Sequence, residues 1–186
     1  MVFTHPATQK WDVYVPLKPF HIGKSRFVSV PDSVRIEFIK AMASDLVDAL
    51  LTQSCVGRIS IVGVSHTEIT SSSDPRLNSL LLENPVSINE DLSMAMSEAE
   101  QIAVFLPDLP AINPREIAEA FLLASKNRIS YISDNEGSGS TAHFSTIGKS
   151  KTFFGPDSSK RHLASGAVEL LHPSFNGLKR DLDNFD

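Results

Sequence analysis

Three cations crowd into one short stretch of this sequence: Lys18, Lys24 and Arg26, in a segment that also holds Pro19, Gly23 and Pro31. Proline and glycine at that density make a loop, not a helix. A loop that gathers three cations suits a polyphosphate, which each can meet as a charged hydrogen-bond donor. A solvated basic loop is the plain alternative. Gly23-Lys24-Ser25 does not complete a P-loop, because Lys18 stands where the first glycine belongs and Pro31 opposes the helix that should follow.

Carboxylates and hydroxyls supply the other half of the chemistry. Asp108 follows the apolar run Ile102 to Leu106 and sits between Pro107 and Pro110. A carboxylate there is placed to hold Mg²⁺, which takes a few carboxylates plus substrate oxygens; a turn or cap role is the alternative. Asp181 and Asp183 flank Leu182. On a strand they would face the same way and repel unless a cation intervened; an acidic, frayed terminus is the alternative. Phe154-Gly155-Pro156-Asp157-Ser158 leads into Ser159-Lys160-Arg161-His162. That is a glycine turn and a serine opening a basic helix, suited to phosphate or carboxylate, or an ordinary helix capped by Ser158 or Asp157. Gly137 to Thr141 adds flexible backbone and hydroxyl donors. No G-x-S-x-G elbow occurs. The six histidines show no metal-ligand spacing, and with Cys55 alone this argues against a zinc site.

These groups need elements to carry them. Trp11 to Leu17 alternates and is rich in β-formers, so it predicts a first strand. Asp32 or Ser33 can cap the helix that follows, in which Val34, Phe38, Met42, Leu46 and Leu50 recur at i+4 as a buried face. Arg58 to Val64 predicts a second strand, and 65–79 a polar loop with at most a short helix. A helix is expected from Asn89 to Ala99 and a doubly buried strand from Ile102 to Leu106. Asn113 and Pro114 start another helix, burying Ile117, Phe121, Leu122 and Ala124. Ile129 to Ser133 is a strand, 134–142 a polar glycine loop, His143 to Ile147 a strand and Ser158 to Gly166 a helix. Such alternation predicts an α/β layer fold with a mostly parallel sheet. Ligands then bind beyond the carboxyl ends of the strands, where the loops after Leu17, Leu106 and Ser133 would share one edge.

Composition sets the frame. A chain of 186 residues with 41% hydrophobic and 21% charged residues is long enough for one packed domain. We expect a loose arm over 1–10 and a single domain over 11–186. No apolar run approaches a membrane span and no secretory signal opens the chain. Cys55 alone fits a reducing, cytoplasmic setting. The net charge of −5 argues against a nucleic-acid or anionic-lipid partner, but permits a small anion wherever the 17 Lys and Arg gather.

Six segments, in order, resemble the guanylyltransferases of coenzyme F-420 biosynthesis, which join GTP to phosphoenolpyruvate or 2-phospho-L-lactate. Val15-Pro16-Leu17-Lys18 with Gly23-Lys24-Ser25-Arg26-Phe27 is similar to P-V-K…A-K-S-R-L. Ile88 to Leu92 resembles L-N-x-A-L, and Leu106 to Pro110 resembles P-A-D-L-P. Asp134 to Ala142 resembles D-x-x-G-T-G-T-N-A, Phe154 to Ser158 with Arg161-His162 resembles F-G-x-x-S…R-H, and Asp181-Leu182-Asp183 resembles the start of D-x-D-T-P-E-D-L. The likeness runs from about residue 13 to the end.

The resemblance implies a three-layer α/β/α nucleotidyltransferase fold, glycosyltransferase-A-like and Rossmann-like. It implies that Asp108 and Asp183 hold Mg²⁺, with Asp181 a helper. Lys18, Lys24 and Arg26 would meet the GTP phosphates in catalysis, and Asn89 would contact the nucleotide. Ser140, Gly155 and Ser158 would hold the acceptor's carboxylate and phosphate. The activity implied is transfer of GMP from GTP to phosphoenolpyruvate, or to 2-phospho-L-lactate, with release of pyrophosphate. The sequence leaves room for a homodimer. Three departures stand out: Thr141 replaces the family's asparagine, Ser65-His66 follows the second strand, and the chain stops before the expected final helix. A non-catalytic nucleotide-binding paralogue, or a nucleotidyltransferase for another phosphorylated substrate, is the alternative.

Overall fold

The computed structural model describes residues 10–20, 31–96 and 99–182. Its elements are strand β1 (Trp11–Pro16), helix α1 (Asp32–Leu51), strands β2 (Val56–Val62) and β3 (Leu77–Leu80), helix α2 (Ile88–Ala95), strand β4 (Ile102–Phe105), helix α3 (Pro114–Ala124), strands β5 (Ile129–Ser133) and β6 (Ser140–Ser145), helix α4 (Ser158–Ala164) and the short strand β7 (Val168–Glu169). The strands form one sheet in the order β3-β2-β1-β4-β6-β5-β7. Only β6 runs against the others: it is antiparallel to β4 and β5, while every other pair is parallel. The carboxyl ends of β1, β4 and β5 therefore share one edge with the start of β6, the edge expected from the alternation.

Side chains of successive strand residues point to opposite faces, and the two faces have separate cores. Val13, Val15, Ile59, Ile61, Ala103, Phe105 and Phe144 pack with the buried faces of α1 and α3. Trp11, Phe105, Phe121 and Phe144 meet there at centroid distances of 5.3 to 6.0 Å, mostly edge to face, the arrangement that ring quadrupoles favour. Tyr14, Val62, Ile102 and Val104 face the other way, onto Leu92 and Met96 from the α2 segment and Phe154. The result is a three-layer α/β/α sandwich.

Local signals explain most element ends. Asn113 caps α3 by accepting the Arg115 N–H, with Pro114 at the first helical position. Ser87 caps α2 by accepting the Glu90 N–H. In α1, Pro31 is the N-cap and makes no side-chain cap bond; Asp32 lies in the first turn and pairs with Arg35 instead of capping. The buried face of α1 starts at Arg35 and Ile39, and Val34 is 54% exposed, because the first turn extends past the core. Leu122 of α3 is likewise exposed, and Ala120 takes the buried position. The segment 65–79 yields a 3₁₀ turn at His66–Glu68, and its end joins the sheet as the start of β3. Residues 178–182 are not a strand. No helix among the described residues is long and apolar enough to cross a membrane.

Candidate active site

Lys18 leaves β1 at the ligand-binding edge and lines two adjoining cavities. One, of about 400 Å³, lies between the ends of β1 and β2 and the first turn of α2, and is lined also by Gly63, Ser87, Ile88 and Asp91. The other, of about 240 Å³, joins Lys18 to Asp108, with Ile39, Met42 and Ile88 as apolar walls. The structure thus brings the first cation and the first carboxylate of the expected set to one cavity. Lys24, Arg26 and Asp183 lie outside the described residues.

Asp108 is fixed by its backbone. The Leu182 N–H donates to the Asp108 carbonyl at 3.0 Å, so Leu182 lies beside Asp108. Asp181 is likewise carried to this corner. Both carboxylate segments are hard oxygen donors of the kind a divalent cation such as Mg²⁺ takes, so the residues present fit such an ion. Among the described residues alone no group of three metal-ligating side chains forms.

The β4–β6 ladder carries the residues expected on the acceptor side to the same sheet edge. Phe105 pairs with Ala142, and the Leu106 N–H donates to the Thr141 carbonyl at 2.9 Å. Continuing that register sets Ser140 opposite Pro107, one residue from Asp108. Ser140 Oγ donates to Ser158 Oγ at 2.9 Å, and both residues are buried. Gly155 has φ +107°, a conformation that glycine adopts without strain, and the turn it makes returns the Ser158 N–H to the Gly155 carbonyl at 3.1 Å. The cap of α4 is Asp157 in the left-handed conformation, with no side-chain cap bond. Ser140, Gly155 and Ser158 therefore form one hydrogen-bonded cluster.

Asn89 sits at the second position of α2, and its amide is engaged within the protein. Its Nδ2 donates to the Phe154 carbonyl at 2.9 Å, and the Phe154 N–H donates to its Oδ1 at 2.8 Å. Arg161 adds a donor to the same carbonyl at 3.2 Å.

Several supporting residues lie outside the expected site set. Asp134, 6% exposed, accepts the Ser138 and Gly139 N–H groups at 3.0 and 2.6 Å and shapes the glycine loop. An aspartate four residues before such a run is a turn signal that could have been read. Glu116 accepts from backbone 61 residues further on, which no local pattern shows. Below α4, His162 stacks between Tyr131 and His143 at centroid distances of 5.2 and 5.1 Å. Burial, with the neighbouring His162, pushes the His143 ring down to about 3. Burial, with Arg161 beside it, pushes His162 down to about 4. Both rings are neutral at pH 7.

No family model matches the chain. Curated relatives do. The chain is 31% identical over 180 residues to the phosphoenolpyruvate guanylyltransferase of Mycolicibacterium gilvum, covering 91% of this chain and 83% of that protein. It is 30% identical over 182 residues to that of Mycolicibacterium smegmatis, covering 92% and 80%. Among solved structures, a 4-diphosphocytidyl-2C-methyl-D-erythritol synthase from Anaerococcus prevotii matches the fold with a TM-score of 0.61 at 7% identity, over 95% of this chain and 91% of that one. A Mycobacterium tuberculosis protein solved in complex with manganese matches with a TM-score of 0.53 at 14% identity, over 94% of each chain. With a nucleotidyltransferase fold and relatives of this identity over most of its length, the chain is a nucleotidyltransferase that belongs to the phosphoenolpyruvate guanylyltransferase family.

Proposed function

We propose that this chain transfers the guanylyl group of GTP to the phosphate of phosphoenolpyruvate, with 2-phospho-L-lactate as the alternative acceptor, in the F-420 pathway. We also read residues 11–186 as a single domain behind a short arm at 1–10. The observation that carries the function is the shared sheet edge: Lys18 and Asp108 line one cavity, and the β4–β6 register sets Ser140, bonded to Ser158, opposite Pro107.

The chemistry is an in-line displacement. A phosphate oxygen of the acceptor attacks the α-phosphorus of GTP, the bond to the bridging oxygen breaks, and pyrophosphate leaves. Lys18, with Lys24 and Arg26, binds the triphosphate and balances its charge. Asn89 acts on the nucleotide through the first turn of α2. Ser140, Gly155 and Ser158 hold the acceptor's carboxylate and phosphate so that the attacking oxygen meets phosphorus at the right angle. Asp108 and Asp183, with Asp181 nearby, would hold Mg²⁺, which supplies charge neutralisation on the phosphates when bound. Support for a divalent ion comes from the carboxylate donor set and from the manganese-bound fold neighbour. No protein nucleophile is needed.

Pyrophosphate release from GTP with phosphoenolpyruvate and Mg²⁺ tests this directly. Release is expected with phosphoenolpyruvate; none with any three-carbon phosphate overturns the reading. Asp108→Asn should lower kcat by about a thousandfold, the scale on which charge stabilisation acts, while the thermal midpoint stays near that of the parent. Unchanged turnover in that variant would remove Asp108 from the metal site.

A further inference from the structure

Residues 177–182 have no regular secondary structure, yet they are held at three points. Glu116, 7% exposed in the first turn of α3, accepts the Gly177 N–H at 2.9 Å and the Leu178 N–H at 2.9 Å. Its partners are backbone groups and not a cation, and the helix N-terminus around it favours the negative charge. Thr141 of β6, fully buried, donates from Oγ1 to the Leu178 carbonyl at 2.6 Å. The Leu182 N–H then reaches the Asp108 carbonyl. Gly177 passes so close to α3's leading loop that an added Cβ would lie 1.9 Å from the Ala111 carbonyl oxygen. Phe175 and Leu178 are buried beside it.

We infer that Glu116 and Thr141 are positioning residues, a clamp that delivers Asp181 and Leu182 to the side of Asp108 and so brings a second carboxylate to the divalent-cation site. The two clamp residues come from different elements and meet at Leu178: Glu116 takes the Gly177 and Leu178 N–H groups and Thr141 the Leu178 carbonyl. Both elements flank β4, whose end carries Asp108. The segment is thus registered against the loop that carries Asp108. Thr141, where the family's motif has asparagine, keeps a side-chain donor for the Leu178 carbonyl. The inference rests on the reading of Asp108 as a metal ligand.

Mn²⁺ binding by electron paramagnetic resonance, together with amide hydrogen exchange, tests it on the full chain. Glu116→Gln puts an amide N–H against a backbone N–H, and Thr141→Val removes the hydroxyl without changing the side chain's shape. Each should speed exchange at Gly177 and Leu178 and weaken Mn²⁺ by about tenfold, the range seen when supporting residues of metal ligands are changed. Thr141→Ser keeps the hydroxyl and should restore both. Ile59→Val, a core change away from the segment, should lower stability and leave Mn²⁺ affinity as it was. If Glu116→Gln does not fold, the Thr141 pair decides. Clamp variants that bind Mn²⁺ as the parent does, while Asp108→Asn weakens it, overturn the clamp. Asp108→Asn binding Mn²⁺ as the parent does overturns the metal reading itself, and the clamp's role with it.

Discussion

A hydroxyl has one proton to give and two lone pairs to accept with. Ser140 gives its proton to Ser158, and on the proposed function the Ser158 proton then serves the acceptor. Both serines are nearly closed to water, at 5% and 1% exposure, so the pair is set before an acceptor arrives. Ser158→Ala removes that donor and leaves the Ser140 O–H without its acceptor, which costs about 1–3 kcal/mol of stability. In steady-state assays the KM for phosphoenolpyruvate should rise by about tenfold, with the KM for GTP unchanged, as expected when an interaction with only one substrate is lost. A rise confined to the GTP KM would move Ser158 to the nucleotide side.

At the scale of elements, the Asn89–Phe154 exchange joins α2 to the turn that opens α4. The first turn of α2 lines both cavities, and Phe154 leads into Gly155, so one amide ties the cavity wall to the Gly155 turn. Asn89→Ala should cost about 1–2 kcal/mol, as two partly buried bonds are lost, and should raise the KM for both substrates together. A change in only one KM would show that the latch does not couple them. Elements whose cause is local were legible in the sequence: Asn113-Pro114 marks the start of α3, and the apolar run at Ile102 marks β4. What was not legible depends on distant partners. Leu77–Leu80 contains Asn78 and Ser79 and reads as loop until β2 supplies its ladder. The reversed direction of β6 follows from its place between β4 and β5, which chain order alone leaves open. The clamp on residues 177–182 likewise depends on Glu116 and Thr141, far away in sequence. The expected site was legible as a set of motifs; the backbone bond from Leu182 to Asp108 that joins two of them was not.

On the scale of the whole molecule, the net charge of −5 describes the surface average, while function depends on where neutral and charged groups are buried. Ser158 opens α4, and α4's own His162 anchors the helix by stacking between the rings of Tyr131 and His143, with Phe153 and Phe154 edge-on to it. Among the described residues, neither ring nitrogen of His162 has a hydrogen-bond partner, so the ring packs as a neutral aromatic. In the unfolded chain both histidines titrate near 6.5; in the folded protein burial holds them at about 3 and about 4. The unfolded state therefore binds more protons between those values. The stability this contributes is complete above about pH 6.5 and is lost as pH falls toward 4, with each histidine approaching about 1.4 kcal/mol per pH unit. Urea midpoints measured from pH 7.5 to 4.5 should fall steeply below 6.5. His162→Phe keeps an aromatic ring in the stack and removes one titrating group, so its slope should be about half that of the parent. Equal slopes in the two proteins would show that His162 already takes up its proton in the folded state. In the parent the acid loss should reach function before global unfolding, because α4 is one short helix that carries one of the two rings being charged and packs it on the other. Phosphoenolpyruvate saturation should therefore weaken at a higher pH than the one at which the sheet's circular dichroism is lost.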